Sequence, residues 1–263
     1  MARLGMVFCW AVLGVVLVFL FAPIVIVVAV SFSPSSVFSF PPSGFSLRWY
    51  HAIGRADTLV AAVWLSVQIA FLATCISLTL GTLCAIAVVR GLVPGGKAIA
   101  TFMASPLMLP GLVFGIASLQ AARSIGLRDA YTTLLIAHVV ITMPFIMRTV
   151  LASLSLFDFS MVDAARMLGY SYPMALWKVL IPNILPGFLS GALFAFIASF
   201  DNYPVSIFLV DVRTKVLPIQ LLNQLEMSPD PTVAAASSLL ILGTVLALVA
   251  CDRLVGLRRM ASI

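Results

Sequence analysis

Apolar residues in this chain gather in long runs that polar positions rarely interrupt. A bilayer core of about 30 Å takes about 20 helical residues, and runs of that order lie near residues 7–30, 60–89, 98–119, 131–151, 187–210 and 233–251, which predicts six membrane-spanning helices. Arg3 precedes the first run, and Ala29-Val30-Ser31 loosely resembles a cleavage site. That apolar stretch is far longer than a signal-peptide core, so it is expected to remain as an anchor. Two connections are long. Residues 31–59, rich in Ser and Pro up to Gly44, carry Trp49 and Tyr50 at a position suited to a membrane interface. Residues 152–186 are too long and too patterned for a plain connector.

Composition agrees with the pattern. Hydrophobic residues make up 62% of the 263 positions and charged residues 9%, whereas a soluble domain carries roughly a quarter charged residues. The expected fold class is an all-α membrane protein, and residues 1–263 are expected to form a single transmembrane domain. The formal charge of +6 is scattered between the apolar runs, which argues against a nucleic-acid partner and leaves membrane lipid as the surrounding medium. Cys9, Cys75, Cys84 and Cys251 lie in or beside apolar runs with no CxxC pair, and they read as apolar filler.

Charge distribution predicts orientation. With the N-terminus inside, the inner loops hold nine basic residues, Arg3, Arg90, Lys97, Arg148, Arg166, Lys178, Arg253, Arg258 and Arg259. The outer loops hold six, Arg48, Arg55, Arg123, Arg128, Arg213 and Lys215. The inner acids are Asp158, Asp163 and Asp252; the outer ones are Asp57, Asp129, Asp211, Glu226 and Asp230, so the net charge is +6 inside and +1 outside. Both termini are therefore expected in the cytosol.

The inner segment 152–186 reads as helix, glycine turn, helix. Met161 to Leu168 favours a helix that Gly169 stops, and a second short helix is expected from Pro173 through Met174, Leu176, Trp177 and Leu180 to Pro182. Its apolar residues suit either a cytosolic partner or the membrane interface.

Residues 163–182 read Asp-Ala-Ala-x3-Gly-x9-Val-x-Ile-Pro. This resembles the EAA motif, Glu-Ala-Ala-x3-Gly-x9-Ile-x-Leu-Pro, of the integral membrane subunits of bacterial ABC importers. Spacing is intact, with Asp163, Val179 and Ile181 as conservative departures. The similarity extends along most of the chain and is nearest to the spermidine/putrescine permease subgroup. It includes Ser31-Phe32-Ser33, Trp49-Tyr50, Ser105-Pro106, Met143-Pro144-Phe145 and Ser199-Phe200-Asp201-Asn202.

The resemblance implies a type I ABC importer transmembrane domain in the bacterial inner (cytoplasmic) membrane. It implies partners: two cytosolic ATPase subunits, a second permease subunit that is usually a related but distinct chain, and a periplasmic or surface-tethered substrate-binding protein. It implies that Asp163, Ala164, Ala165, Gly169, Val179, Ile181 and Pro182 couple the spans to the ATPase. ATP and Mg would be bound by the ATPase subunits, with no cofactor and no catalytic role in this chain. A polyamine is the implied substrate, with an amino acid, a phosphonate or an inorganic ion as alternatives.

Other features admit blander readings. Gly91-x4-Gly-Lys97 matches the first part of a phosphate-binding loop, but Ala98 replaces the Mg-binding Ser or Thr and no strand precedes it, so a tight turn is expected. His51 and His138 lack Cys or carboxylate neighbours at metal-ligand spacing, and His138 reads as a neutral imidazole bonded to another helix. Gly111-x3-Gly115 and Gly187-x3-Gly191 have the spacing of close helix contacts, and Pro106 with Pro110 is expected to kink the third span. Asp201 is the one acid inside a span, followed by Asn202, Tyr203 and Pro204. It reads either as a group on the translocation route that attracts an amine cation, or as a packing device paired with another helix, Arg148 being a candidate partner. An ion-coupled secondary transporter would need intramembrane groups beyond Asp201, and an embedded enzyme would need a catalytic constellation that is not evident.

Overall fold

The computed structural model describes residues 2–255, and no strand occurs among them. Arg258 and Arg259, counted above on the inner side, lie outside the described residues. The helices are α1 (Ala2–Ser31), α2 (Arg48–Arg55), α3 (Asp57–Val89), α4 (Gly96–Ala104), α5 (Gly111–Ser124), α6 (Ala130–Leu154), α7 (Ser160–Met167), α8 (Tyr172–Ala175), α9 (Ile181–Phe200), α10 (Tyr203–Ser206), α11 (Leu217–Met227) and α12 (Thr232–Val255).

Five stretches are helical, long and apolar enough to cross a membrane: Gly5–Ser31, Asp57–Val89, Ala130–Leu154, Tyr172–Phe200 and Thr232–Arg253. The third apolar run differs from a straight span. Gly96–Met108 and Gly111–Ser124 meet at a 107° bend, and together they would be a sixth, broken span. Pro110 explains the break, because it has no N–H to continue the ladder and forces the preceding residue toward extended backbone; Leu109 has ψ 139°. Between α3 and α4, the phosphate-loop look-alike is a turn that follows a helix rather than a strand.

The chain divides into two compact units, one running up to Val60 with Gln220–Thr244, the other Ala61–Ile219 with the chain from Val245 on. In the first unit, the Trp49 indole N–H donates to Ser33 O at 2.8 Å, and the Tyr50 and Ser31 hydroxyls are 2.7 Å apart. Phe32 stacks on Phe45 with centroids 4.6 Å apart, and the Arg48 guanidinium lies 4.2 Å from the Trp49 ring centre. Trp49 is buried, so its first task is to fold residues 31–34 against α2 rather than to meet an interface.

The second unit is organised around α6. Asp129 caps its start, accepting from Thr132 N at 2.7 Å and from the Thr132 hydroxyl at 2.5 Å. The side-chain bond, then the backbone bond, holds the Asp129 carboxyl below its ordinary value. Helix α6 serves two apolar clusters, from different faces along its length. At one end Ile146, Met147, Val150 and Leu154 meet Ile86 of α3 and Ile184 of α9. At the other, Leu134, Ala137 and Ile141 meet Ile69 of α3 and Val205 of α10.

Helices in lipid gain little from hydrophobic exclusion and associate through close van der Waals contact, which small residues permit. Both glycine pairs do this here. A Cβ at Gly187 would strike the Ser153 hydroxyl and stand 2.8 Å from Thr149 O, and one at Gly191 would strike the Thr149 hydroxyl, so α9 lies directly on α6. A Cβ at Gly111 would stand 2.9 Å from Pro204 Cβ, and one at Gly115 would stand 2.8 Å from Val205 O, so α5 lies directly on α10. Gly187→Val is expected to cost about 1–3 kcal/mol by overpacking and to lower the melting temperature of the purified chain in detergent by several degrees. Gly14→Val, where a side chain meets nothing within 4 Å, is expected to leave it unchanged; equal melting temperatures would contradict the packing.

Candidate functional site

Two polar features stand out in the second unit, one at each end of α9. The first is the segment that precedes it. Asp158 opens α7 by accepting from Ser160 N at 2.9 Å and from its hydroxyl at 2.6 Å. These bonds, the side-chain one foremost, hold the Asp158 carboxyl below its ordinary value. Helix α7 closes in a Schellman turn: Tyr170 N donates to Ala165 O at 3.3 Å and Gly169 N to Arg166 O at 3.0 Å. Gly169 takes φ +95°, and a Cβ there would meet nothing within 4 Å. The requirement at this position is therefore backbone handedness and not space.

The helix after the turn does not end at Pro182. It is continuous from Tyr172 to Phe200, so the second half of the segment is the beginning of the fifth apolar helix. Pro182 cannot donate to Lys178 O. The chain accommodates it with a π-helical turn over Leu176–Leu180, and the Asn183 amide donates to the neighbouring carbonyl of Val179 at 2.7 Å.

The motif residues divide by the side they face. Ala165, with its neighbour Val162, is buried against the α3, α6 and α9 cluster, and Val179 and Ile181 pack on its edge. Ala164, Gly169 and Pro182 are exposed. Ala165 alone of the two alanines brings the helix close to the spans. Asp163 bonds Arg90 at 3.5 Å, with Arg166 at 4.0 Å, and Arg90 in turn lies 5.0 Å from the Phe159 ring centre. Asp163 thus ties α7 to the end of α3, a half-exposed contact that contributes at most about 1 kcal/mol. Outward stand Met167 at 89% exposure, Leu168 at 82% and Trp177 at 71%, large apolar side chains left without cover.

The second feature is the far end of α9. The expected span 187–210 is not continuous: α9 stops at Phe200, with Asp201 as its C-cap at φ −102°, ψ 22°. Pro204 removes the N–H that would continue the ladder, and Asn202 closes the gap. Its Oδ1 accepts from Val205 N at 3.1 Å, and its Nδ2 donates to Ala198 O at 3.2 Å. Asn202 is thus committed to backbone, while Tyr203 packs on the α6 and α10 cluster. Asp201 is exposed. Among the described residues its carboxylate has neither a hydrogen bond nor an ion pair, and no such contact joins it to Arg148.

His138 in α6 is 1% exposed. Its Nδ1 is 2.7 Å from the Ser199 hydroxyl in α9, and its Nε2 is 3.1 Å from the Ser206 hydroxyl in α10. Bonding to another helix was legible; Ser199 and Ser206 as the partners were not, because nothing in their spacing distinguishes them from other serines in apolar runs. The seam continues to α3, where Ser77 donates to Val139 O at 2.9 Å and lies 2.7 Å from the Thr142 hydroxyl.

Residues 77–255 match the family described as binding-protein-dependent transport system inner membrane component. The chain is 33% identical over 241 residues to the spermidine/putrescine transport system permease protein PotC of Haemophilus influenzae, covering 92% of this chain and 93% of that one. It is 30% identical over 234 residues to the putrescine transport system permease protein PotI of Escherichia coli, covering 86% and 83%. A crystal structure of a bacterial ABC transporter involved in the import of the acidic polysaccharide alginate shares the fold, with TM-score 0.72 at 18% identity over 95% of this chain and 96% of that one. The chain belongs to the family of binding-protein-dependent transport system inner membrane components, the permease subunits of ABC importers.

Proposed function

We propose that this chain forms half of the translocation pathway of an ATP-driven importer whose cargo is a polyamine of the spermidine or putrescine kind. The observation that carries the substrate reading is the 33% identity to a spermidine/putrescine permease over 92% of the chain. The chemistry at Asp201 supports it. A carboxylate at a broken helix end, without a protein partner among the described residues, is suited to meeting a cationic amine. Asn202 and Tyr203 shape that site.

In this reading both termini and residues 152–186 face the cytosol. Two ATPase subunits bind ATP and Mg there, and this chain supplies no cofactor. A related but distinct permease subunit completes the pathway, and a periplasmic or surface-tethered binding protein delivers the substrate. The segment around Arg48 to His51 and the stretch 211–232, which contains α11, are its docking surfaces. The exposed side chains of Met167, Leu168 and Trp177 enter the ATPase cleft. Asp163, Ala164, Ala165, Gly169, Val179, Ile181 and Pro182 hold α7 and α8 in the shape that presents it. Closure of the ATPase pair on ATP moves this loop, and the unbroken helix from Tyr172 to Phe200 carries the displacement to Asp201. The cycle alternates access by shifting the population between outward- and inward-open states.

Two variants test the two ends. Valine at position 169 cannot easily take φ +95°, at a cost of about 1–3 kcal/mol, whereas asparagine tolerates left-handed backbone. Gly169→Val is expected to lose ATPase co-purification and uptake, while Gly169→Asn keeps most of both; normal values for the valine variant would remove the docking role. Asp201→Asn is expected to raise the apparent KM for spermidine uptake by the reconstituted complex about 10- to 100-fold, the loss of a charge-assisted contact of about 1.5–3 kcal/mol. Unchanged affinity, selectivity and rate would take Asp201 off the pathway.

A further inference from the structure

The imidazole of His138 is wholly buried where α6, α9 and α10 meet, and both its nitrogens are bonded. The Ser206 hydroxyl has one hydrogen, and it donates that hydrogen to Asn202 O at 2.5 Å. It can therefore only accept from the ring, which makes Nε2–H of His138 the donor. In the neutral imidazole Nδ1 is then an acceptor, and the Ser199 hydroxyl donates to it at 2.7 Å. The proton on the ring is assigned by the geometry of its neighbours.

These bonds surround Asp201. Ser199 lies two residues before it and Ser206 five residues after it, and both are held by the same ring. Between them Asn202 closes the broken helix through Val205 N and Ala198 O. On its other side α10 rests on Gly111 and Gly115, where no Cβ would fit. The short helix is thus located by close contact from α5 and by hydrogen bonds from α6.

We infer that His138 is a positioning residue for translocation: through Ser206 it holds the Asn202 turn, and so fixes where the Asp201 carboxylate stands. This rests on the reading of Asp201 as a pathway group. The Ser206 bond is the decisive one: the same Ser206 hydroxyl that accepts from the ring donates to Asn202 O, whereas Ser199 meets the turn through its main-chain carbonyl, which accepts from Asn202 N at 3.4 Å.

Amide side chains separate the two bonds. His138→Gln places a polar atom near the position of Nε2 and keeps the reach to Ser206. His138→Asn places one near Nδ1 and keeps only the reach to Ser199. In the complex reconstituted with its ATPase, second permease and binding protein, His138→Asn and Ser206→Ala are expected to raise the apparent KM for spermidine about fivefold, the effect of one lost hydrogen bond. Maximal rate and ATPase co-purification should stay near those of the parent, and His138→Gln should restore the KM. Combined with Asp201→Asn, His138→Asn should add less than a twofold further rise, since the group it positions is gone.

A common fall in melting temperature and maximal rate without a change in KM would overturn the inference and make His138 a packing residue. So would losses that multiply in full on the Asp201→Asn background, while leaving Asp201 on the pathway. Should Asp201→Asn alone have no effect, the pathway reading fails and this inference fails with it. Ser206→Ala, which removes a single oxygen, keeps the measurement available if the histidine variants assemble poorly.

Discussion

Direct contact between α6 and α9 is the constraint on which the second unit depends. Two glycines, Gly187 and Gly191, remove the side chains that would hold the helices apart, and the backbone and hydroxyls of Thr149 and Ser153 occupy that space. Because lipid tails are as apolar as leucine, such a contact is held by fit and not by exclusion from water. Its position matters. One end of the pair carries the α7–α8 segment, packed on the same cluster through Val162, Ala165 and Leu180. The other carries the His138, Ser199 and Ser206 bonds around the Asp201 break.

That arrangement joins the loop and the break mechanically. The helix from Tyr172 to Phe200 has 29 residues, or about 43 Å at 1.5 Å per residue, and it is hydrogen-bonded throughout apart from local accommodation at its prolines. Pro182 and Pro186 could have broken it. At Pro182 a π-helical turn over Leu176–Leu180 carries the helix on, and the Asn183 amide donates to Val179 O. At Pro204 no such repair continues the helix; Asn202 caps the new one instead. The same residue type therefore sits within a continuous helix in one place and at a break in another.

Much of this was legible in the sequence. Length and apolarity identified the candidate spans, the Asp163 to Pro182 spacing pointed to the family, and Gly169 announced its turn. The glycine pairs announced close contacts. What was not legible depends on partners distant in the chain. The continuity of α8 into α9 turns on a wider turn and on Asn183, which proline placement alone does not disclose. The inward side of Ala165 and the outward side of Ala164 follow from where α7 packs. The sharpness of the bend at Pro110 and the commitment of Asn202 to backbone follow from three-dimensional neighbours, as does the assignment of Ser206 to His138. An apolar run also looks the same whether its helix ends at Phe200 or continues to 210.

In the proposed function, this permease subunit passes a polyamine along a route that includes Asp201, driven by an ATPase docked on the α7–α8 segment. The most direct measurement is uptake by the complex reconstituted with its ATPase, second permease and binding protein, offered spermidine, putrescine, amino acids, phosphonates and inorganic ions with and without ATP. The account predicts ATP-dependent accumulation of spermidine or putrescine. Accumulation of an uncharged or anionic solute in their place, or accumulation that proceeds without ATP, would contradict it.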